Sequence, residues 1–492
     1  MKKKIVLYNP QAEEFRPFKG IPLGLLSISR ILNKEGYKTC ITEHFEKNVE
    51  EQVLEECKDS ICFGVTAMTG YQIQDALKMV KKVKAKYPKL PIVWGGWHSS
   101  ILPLETIKSK YVDIIVRGQG EETFTELVHT LEKNQSLDDV AGIVFKKKEK
   151  IIVTKERPFS DLNTFPPMPY DLVDVEKHLM NYDFGKRTIQ YNASQGCPFR
   201  CAFCADPEVY KRRWSGLKPE RVVSELKVLK NKYHIDAVVF TDSNFFISEK
   251  YTIEFCKLCI KEKLNLKFGG VNGRADVLTK YKKSTWLLMK RAGIKNILNG
   301  TESGSQEILD YITKDITVEQ IKDMVKIGTE YNISITCSTF IGLPGQDIEK
   351  EFKINIDLID SLMKINSKNT YFFSIYTPYP GCKMYSESIK HGFKQPKNLE
   401  SWAKFELRKA NTPWVSDKYA NMAEQLCVYY FPILSNQIDD IIKHHGILLR
   451  IPLKIGYQFF RIIAKIRWKL KFFSLPVDYH LFKYILYLKE KL

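Results

Sequence analysis

The sequence predicts an α/β protein in which a Rossmann-like, doubly wound parallel sheet is followed by a partial (β/α)6 barrel and a helical C-terminal region. Apolar runs alternate with helical periods over residues 1–130, and this alternation recurs from 188 to about 379. The last fifty residues carry a helical pattern of apolar and basic side chains. We expect a Rossmann-like domain at 1–140, a linker at 141–185, the barrel at 186–385 and the C-terminal region at 386–492.

The first sheet is predicted from five runs rich in valine and isoleucine, at 4–8, 38–42, 60–66, 91–95 and 112–116. Helical periods at 23–35 and 72–87 lie between them. A doubly wound sheet binds its ligands beyond the carboxyl ends of its strands. Glycine-containing segments at 66–71, 95–99 and 117–122 follow three of these strands, so we expect a ligand there.

Four prolines between 158 and 169 predict a linker that lies on the surface. The barrel is predicted from six further apolar runs, at 188–193, 237–241, 267–271, 296–298, 334–340 and 370–375. Catalysis in such a barrel takes place at the C-terminal ends of its strands.

Composition limits the class of protein. The chain is 44% hydrophobic and 27% charged, which is typical of a globular protein. Eleven cysteines are too few for a secreted disulfide scaffold, and a reducing cytoplasm is therefore expected. The first apolar run stops at Asn9-Pro10, too early for an export signal, and no run of about 18 apolar residues could span a membrane.

The net charge of +19 is concentrated at the end of the chain. From Lys443 onward, eleven lysines and arginines face Asp478 and Glu490, which gives +9. Such an uneven distribution favours a surface partner of the tail over a nucleic-acid enzyme.

Cys197, Cys201 and Cys204 have a C-x3-C-x2-C spacing. Thiolates are the ligands of iron–sulfur clusters, and three within eight residues can gather on one loop. A cubane cluster has four irons, so three cysteines leave one iron open to a small molecule. Zinc fingers and ribbons need a second ligand pair further along the chain. The triplet therefore predicts a 4Fe–4S cluster.

The string from Gly196 to Cys204, with Phe203 before the last cysteine, resembles the signature loop of the radical S-adenosylmethionine enzymes. In that superfamily the open iron binds the amino and carboxylate groups of S-adenosylmethionine. Later strings resemble its strand ends, namely Phe240-Thr-Asp-Ser-Asn-Phe245, Asn272-Gly-Arg-Ala-Asp276, Gly300-Thr-Glu-Ser-Gly304 and the loops 340–345 and 376–381. The resemblance implies that S-adenosylmethionine is contacted by Phe203, Asp242, Asn244, Asn272, Arg274, Glu302 and Ser303.

The N-terminal segment resembles the cobalamin-binding domain that precedes many of these enzymes, through Gly95-Gly-Trp-His98 and Gly118-Gln-Gly-Glu121. The Asp-x-His-x-x-Gly string that supplies a cobalt ligand elsewhere is missing, because residues 9–15 contain no histidine. The resemblance implies that cobalamin is contacted by Thr66, Thr69, Gly70, Gly95, Gly96, His98, Gly118, Gly120 and Glu121. The alternative is a domain that has lost its cofactor or binds a nucleotide.

Two further features of the sequence are a second pair of cysteines and the basic tail. Cys256 and Cys259 lie within a helical period without a partner pair, so we expect buried helix residues rather than a second cluster. In the tail, basic residues 450, 454, 461, 465 and 469 share one sector of a helix whose other faces are mostly apolar. This pattern is typical of a helix lying on an anionic membrane, or else of a helix packed on the barrel or at a dimer contact.

The family resemblance implies a cobalamin-dependent radical enzyme that removes hydrogen from an unactivated carbon and methylates it, with an electron donor such as flavodoxin or ferredoxin. The alternatives are a radical cyclase or rearranging enzyme of the same architecture, and a non-catalytic cobalamin or cluster sensor. Methylthiotransfer is disfavoured, because Cys40, Cys57 and Cys62 lack the context of cluster ligands. We expect a cytoplasmic protein, peripheral on the inner membrane surface, whose substrate is a small molecule or a lipid. No residue is predicted as the catalytic acid or base.

Overall fold

The computed structural model describes residues 3–12, 19–405, 411–435 and 447–491. The chain divides into two compact units. Unit 1 comprises 1–180, 189–235 and 378–407, and unit 2 comprises 181–188, 236–377 and 408–492. Among the described residues, no helix is long and apolar enough to cross a membrane.

Unit 1 contains a seven-stranded sheet. Its strands are β1 (Lys4–Asn9), β2 (Lys38–Glu43), β3 (Phe63–Thr66), β4 (Ile92–Gly95), β5 (Ile114–Val116), β6 (Ile143–Lys147) and β7 (Lys150–Val153), in the order β2-β1-β3-β4-β5-β6-β7. The first five are parallel and confirm the predicted Rossmann-like sheet, whereas β6 and β7 add an antiparallel hairpin at one edge. This hairpin occupies the start of the segment expected to be a linker.

Amphipathic helices connect these strands. They are α1 (Leu23–Lys34), α2 (Val49–Glu56), α3 (Tyr71–Lys86), α4 (Trp97–Ile101), α5 (Pro103–Thr106) and α6 (Glu121–Glu132). In α3, for example, Ile73, Leu77 and Val80 recur on one face and are buried. The carboxyl ends of β3, β4 and β5 consequently meet at one edge of the sheet.

The next part of the chain leads to the cysteines. Three short 3-10 turns (Leu162–Thr164, Tyr170–Leu172 and Val175–His178) precede β8 (Met180–Tyr182), β9 (Gly185–Tyr191), β10 (Ser194–Gly196), α7 (Asp206–Tyr210), β11 (Trp214–Gly216) and α8 (Pro219–Tyr233). Strands β10 and β11 pair antiparallel, and the segment between them carries all three cysteines of the triplet.

Unit 2 contains the strands of the partial barrel. Residues 181–188 of β8 and β9 belong to it, followed by β12 (Ala237–Phe240), β13 (Lys267–Gly269), β14 (Val271–Asn272), β15 (Asn296–Glu302), β16 (Ser334–Ile341) and β17 (Thr370–Ile375). They form two sheets of order β13-β12-β9-β8 and β14-β15-β16-β17. The predicted run 267–271 is divided at Gly270, whose φ is +61°. The mixed fold of Rossmann-like sheet and partial barrel is the one expected.

The helices of this region are α9 (Glu249–Lys261), α10 (Ala275–Leu278), α11 (Lys283–Ala292), α12 (Gln306–Tyr311), α13 (Val318–Glu330) and α14 (Ile348–Ile365). Cys256 and Cys259 lie on the buried face of α9. Burial raises the pKa of the Cys256 thiol to about 12, so that it remains protonated. Both cysteines thus have the surroundings of packing residues.

The last part of the chain is helical, as predicted. In unit 1 it forms α15 (Lys383–Lys390) and α16 (Leu399–Trp402). In unit 2 it forms α17 (Asp417–Gln425), a π-helical turn (Leu426–Tyr430), α18 (Phe431–Leu434), α19 (Ile447–Lys469) and α20 (Val477–Lys491).

Candidate functional site: a cysteine loop and two sets of strand ends

The cysteine loop begins at a glycine that no other residue can replace without a clash. Gly196 has φ of +79°, and a Cβ there would lie 2.2 Å from the carbonyl oxygen of Arg213. The loop then turns so that the amide of Cys204 donates to the carbonyl oxygen of Cys201 over 3.1 Å. The sharp turn brings the three thiols onto one short segment.

The thiols are suited to binding a cluster. None of the three forms a disulfide, and each residue is partly exposed. Burial raises the pKa of Cys204 to about 12, with smaller contributions from the charges of Asp206, Cys201 and Cys197. Iron would therefore have to displace the proton of Cys204.

Within the described residues, no three potential ligands converge as they would on a single metal ion. A cubane cluster does not require such convergence, because its cysteine thiolates bind different irons.

A buried polar network holds the strand before the cysteines. The Gln195 side chain donates to Glu121 over 2.6 Å and accepts from Gln119 over 3.0 Å. The same carboxylate accepts from Ser27 at 2.6 Å and from Arg30 at 2.9 Å. Glu121 and Arg30 are only 2% and 3% exposed, so this ion pair is almost completely shielded from solvent. Glu121, which the resemblance presents as a cofactor contact, here positions Gln195, two residues before Cys197.

The strand ends of unit 1 approach one another closely. Gly96 has φ of +88°, and a Cβ there would lie 2.6 Å from the Thr66 hydroxyl and 2.9 Å from the Ala67 carbonyl. Gly96 itself is exposed, as is Met68. Glycine thus lets the ends of β3 and β4 approach closely and leaves an exposed backbone surface there.

His98 lies below this surface. It is 1% exposed, its Nδ1 is 3.0 Å from the Thr69 hydroxyl, and burial lowers its pKa to about 4, which leaves the ring neutral near pH 7. Its Nε2 is buried with no hydrogen-bond partner among the described residues. An orphaned ring nitrogen at a strand end is a place where a polar group of a ligand would fit.

Trp402 and Phe405 cover part of the same edge of the sheet. The Trp402 ring meets His98 edge-on at 5.7 Å, and a Cβ on Gly70 would lie 2.5 Å from the Phe405 carbonyl. Trp402 also donates to Glu105 through Nε1 over 2.5 Å. Sequence reasoning missed this cover, because residues 386–405 contain no motif that indicates it. The predicted contacts Gly70 and His98 are therefore shielded on one side, whereas Thr66, Thr69, Gly95 and Gly96 remain at least partly accessible.

The third strand end has two different glycines. Gly118 donates its amide to Ser100 over 3.0 Å and borders a polar cavity with Arg117, Gln119 and Arg213. In contrast, a Cβ on Gly120 would meet Ile28 of α1 at 3.0 Å. Gly120 therefore serves the packing of α1 and α6, and Gly118 faces a space that a polar ligand group could enter.

In unit 2, the first two predicted strand ends are joined. Asn272 donates through its side chain to the carbonyl of Ser243 over 2.9 Å, and its own carbonyl accepts from Phe245 over 3.0 Å. Asp242 and Asn244, on the same loop, are 3% and 2% exposed. The structure thus brings three of the predicted side chains to one end of β12 and β14.

The next pair is linked by a lysine that sequence reasoning missed. Arg274 donates to Asp276 over 2.9 Å and to the carbonyl of Lys314. The Lys314 ammonium in turn pairs with Glu302 over 2.7 Å, with both side chains below 10% exposed. Ser303 accepts from the amide of Ser305 over 3.1 Å. Arg274 and Glu302 are therefore two ends of one buried, charge-compensated network.

Helix α14 fixes the loops after β15 and β16. Asn355 accepts from the amide of Gly304 over 2.7 Å and donates to the carbonyl of Phe340 over 3.0 Å. One turn earlier, Glu351 accepts from the amide of Gly342 over 2.7 Å, and burial raises its pKa to about 7. Both residues are polar yet lie on the buried face of the helix, and this pattern in the sequence could have indicated that they hold loops.

Two family models match these two regions. The B12 binding domain matches residues 16–128, and the radical SAM superfamily matches residues 191–354, which include the cysteine loop and the strand ends of unit 2. The chain therefore contains both a B12-binding domain and a radical S-adenosylmethionine domain. The cofactors of these domains are a 4Fe–4S cluster, S-adenosylmethionine and cobalamin.

Individual relatives agree with this assignment. The chain is 26% identical to an uncharacterized methyltransferase of Pyrococcus horikoshii over 439 residues, 88% of this chain and 92% of that one. It is 28% identical to the anaerobic magnesium-protoporphyrin IX monomethyl ester cyclase of Rubrivivax gelatinosus, over 70% of this chain but only 60% of the cyclase. The fold resembles that of the cobalamin-dependent S-adenosylmethionine radical enzyme OxsB with aqua-cobalamin bound, with a TM-score of 0.69, 18% identity and coverage of 97% of this chain and 74% of that one.

Proposed function

We propose that this radical S-adenosylmethionine enzyme is a C-methyltransferase that places a methyl group on an unactivated carbon of a small molecule. The observation that carries the proposal is the extent of the match to the archaeal methyltransferase, which covers nearly all of both chains. The match to the cyclase leaves about two fifths of that enzyme unaligned. Cyclisation is therefore the second candidate.

When bound, the cofactors supply the hydrogen-abstracting radical and the methyl group. Replacing a C–H hydrogen with methyl by this route consumes two molecules of S-adenosylmethionine and two electrons. It yields methionine, 5′-deoxyadenosine carrying the abstracted hydrogen, and S-adenosylhomocysteine. Both electrons must come from a low-potential donor, and we propose that this donor is a flavodoxin or a ferredoxin.

We assign roles to residues according to their surroundings. Cys197, Cys201 and Cys204 would hold three irons, with Phe203 beside them. Asp242, Asn244 and Asn272 would bind the amino end of S-adenosylmethionine, and Arg274 would donate to its carboxylate. Glu302, neutralised by Lys314, and Ser303 would face the ribose. The protein's part is to hold these groups still and to keep water out.

For cobalamin we assign the accessible strand-end surface of Thr66, Gly95 and Gly96 to the corrin, and Gly118 to its polar substituents. Thr69, Gly70 and His98 would support that surface from below. The orphaned Nε2 of His98 and the clash that any Cβ at Gly96 would cause both support this assignment.

We further propose that the substrate is a lipid or a lipid-linked molecule and that the enzyme works at the inner membrane surface. The support is the basic C-terminal segment, which holds about half of the net charge. A water-soluble substrate would not need it.

The test is label transfer. Purified, anaerobically reconstituted enzyme with cobalamin and a chemical reductant would be given S-adenosylmethionine with a deuterated methyl group and, in separate reactions, the lipid extract and the water-soluble extract of a deletion strain. We expect 5′-deoxyadenosine and one product heavier by a labelled methyl group. The Cys197→Ala, Cys201→Ala, Cys204→Ala triple variant, as the control, should form neither.

Three other outcomes would each contradict one part of the proposal. A product with an unchanged number of carbons and no label would replace methylation by cyclisation. Label in water-soluble metabolites but none in lipids would overturn the substrate class alone. If the triple variant still cleaves S-adenosylmethionine, the assignment of the cluster is wrong.

A further inference from the structure

The inner face of α19 is firmly attached to unit 2. Tyr457, Phe460, Ala464 and Trp468 are buried. The Tyr457 hydroxyl donates to the carbonyl of Ile433 over 2.8 Å, and Trp468 Nε1 donates to Asp360 over 2.8 Å. These residues recur every three or four positions and define one face of the helix. This face therefore holds the helix on its own chain.

The opposite face carries a second apolar stripe. Six large side chains are between 55% and 69% exposed in the described part of the chain, namely Ile451, Ile455, Phe459, Ile462, Ile466 and Leu470. At 100° per residue they share a sector of about 100°, and they extend for about 30 Å along the helix. We call these six residues the outer stripe. A monomer rarely leaves a contiguous apolar patch of this length in water.

Exposed apolar residues continue beyond the helix. Leu475 and Val477, in and after the turn, are 76% and 74% exposed, and Leu481, Tyr484 and Ile485 on α20 are also exposed. On α20, Val477, Leu481, Tyr484 and Ile485 again follow a helical repeat. Exposure of this kind in two consecutive helices and the turn between them is not the scatter of single residues found on most surfaces.

Charge indicates what covers the outer stripe. Helix α19 contains six basic residues and no acidic one. Lys454, Arg461, Lys465 and Lys469 occupy the sector next to the stripe, and the three lysines are exposed. Within the described residues, no carboxylate lies within salt-bridge distance of these three ammonium groups. An apolar face bordered by uncompensated positive charge complements a surface of acyl chains beneath anionic headgroups.

We propose that the outer stripe inserts into the headgroup region of an anionic membrane, with Lys454, Lys465 and Lys469 paired to lipid phosphates. The inner face keeps the helix on unit 2, so the protein docks without unfolding the helix. This inference concerns attachment alone and holds whether the reaction is methylation or cyclisation.

A second copy of the chain fits less well. A two-fold contact through the outer stripe would bring the same surface from both copies together. Since α19 supplies no carboxylate, the lysines bordering the stripe would find no complementary charge on the other helix.

The experiment uses the full-length chain and sedimentation with vesicles. One set contains 30% phosphatidylglycerol in phosphatidylcholine, and the other contains phosphatidylcholine alone. Two variants test the two components, Phe459→Gln/Ile462→Gln/Ile466→Gln for the stripe and Lys454→Gln/Lys465→Gln/Lys469→Gln for the charge. Val228→Gln/Leu287→Gln, on exposed apolar positions of other helices, is the matched control.

We expect wild type and the control to bind anionic vesicles equally, and the stripe variant to bind at least tenfold less. The lysine variant should lose on the order of 100-fold on anionic vesicles, since each of the three basic residues near such a surface contributes about a factor of five. High salt should weaken wild-type binding in part and weaken the lysine variant's residual binding less. All variants should keep wild-type circular dichroism and S-adenosylmethionine cleavage in detergent-free buffer.

Two outcomes would overturn the proposal. One is equal or absent binding of wild type and the stripe variant. The other is a wild-type dimer that the stripe variant converts to a monomer, without vesicle binding by either, which would assign the stripe to a second copy. Failure of label transfer together with normal vesicle binding would refute the proposed reaction and leave the docking surface intact.

Discussion

The Glu121–Arg30 ion pair connects α1 to the strand that precedes the cysteines. It is nearly dry, and its carboxylate also holds Ser27 and Gln195. A buried pair adds little stability as a whole, but removing one partner leaves an uncompensated buried charge. The pair therefore connects the packing of α1 to the strand that leads into the cysteine loop.

We predict that Glu121→Ala lowers the free energy of unfolding by about 3–5 kcal/mol and reduces iron incorporation even where the protein is still folded. Its neighbour Glu122 makes only a partly exposed contact with Arg157 at 3.9 Å, so Glu122→Ala, the control, should cost less than about 1 kcal/mol. Anaerobic urea unfolding of the apoprotein and iron analysis after reconstitution provide the two readouts. Normal iron content in a destabilised Glu121→Ala protein would restrict this residue to a packing role.

The second residue-scale prediction concerns His98. Its Nδ1 is directed to Thr69, its ring packs against Trp402, and residues 9–15 lack the histidine of the cobalt-binding motif. We expect bound cobalamin to have no protein nitrogen on cobalt. Electron paramagnetic resonance of the reduced corrinoid, on protein labelled with 15N-histidine, should show no splitting from that label. A 15N splitting that disappears in His98→Ala would contradict the prediction.

At the scale of elements, α14 holds the loop after β16 through a titratable group. Because burial raises the pKa of Glu351 to about 7, the folded protein keeps this proton over a range in which the unfolded chain, with a value near 4.5, has lost it. The contribution of Glu351 to stability is therefore greatest at low pH and is lost as pH rises from 4.5 to 7.

We predict that this contribution falls by up to about 3 kcal/mol across that range, and that Glu351→Gln removes the slope. The measurement is urea unfolding of the apoprotein between pH 5 and pH 8, expressed as the difference between wild type and Glu351→Gln. A difference that does not change with pH would mean that Glu351 is already ionised in the folded protein. The predicted pH dependence of the loop after β16 would then be wrong.

Strand periodicity explains how much of the fold could be predicted. The first five strands and the barrel strands are local runs of apolar residues, and the structure places them within a few residues of the predictions. Strands β6 and β7 fall in the segment expected to be a linker, because β7 is a mostly exposed edge strand and the turn between them is rich in lysine. The run 267–271 looked continuous, yet Gly270 adopts a left-handed backbone and divides it.

The candidate site could be predicted only where its residues belong to short sequence motifs. Cys197, Cys201 and Cys204 are such a motif, and so are the strand-end glycines. Lys314 beside Glu302 and Trp402 over His98 come from parts of the chain without any motif, and tertiary packing alone brings them there. The outer stripe of α19 was mixed in sequence with the buried one, and only observed burial separates the two faces.

At the scale of the whole molecule, the chain carries two cofactor functions in separate segments, a strand-end surface before residue 128 and a cysteine loop after residue 191. The three atoms nearest to a Cβ at Gly96 belong to Thr66 and Ala67 and not to the cysteines. The two functions should therefore be separable by substitution.

We predict that Gly96→Ala loses cobalamin while it keeps iron and cleavage of S-adenosylmethionine, and that the triple cysteine variant does the reverse. The physical reason is that alanine at φ of +88° is strained and its Cβ would lie 2.6 Å from the Thr66 hydroxyl, which forces the β3 and β4 ends apart. Gly24→Ala, on a helical glycine with no atom within 4 Å of its Cβ position, is the matched control and should keep both cofactors. Corrinoid absorbance, iron content and 5′-deoxyadenosine formation are measured on the same anaerobic preparations. Loss of both cofactors in Gly96→Ala, in a protein that unfolds at the wild-type temperature, would show that the strand-end surface and the cluster loop form one site, and the separate assignment would have to be abandoned.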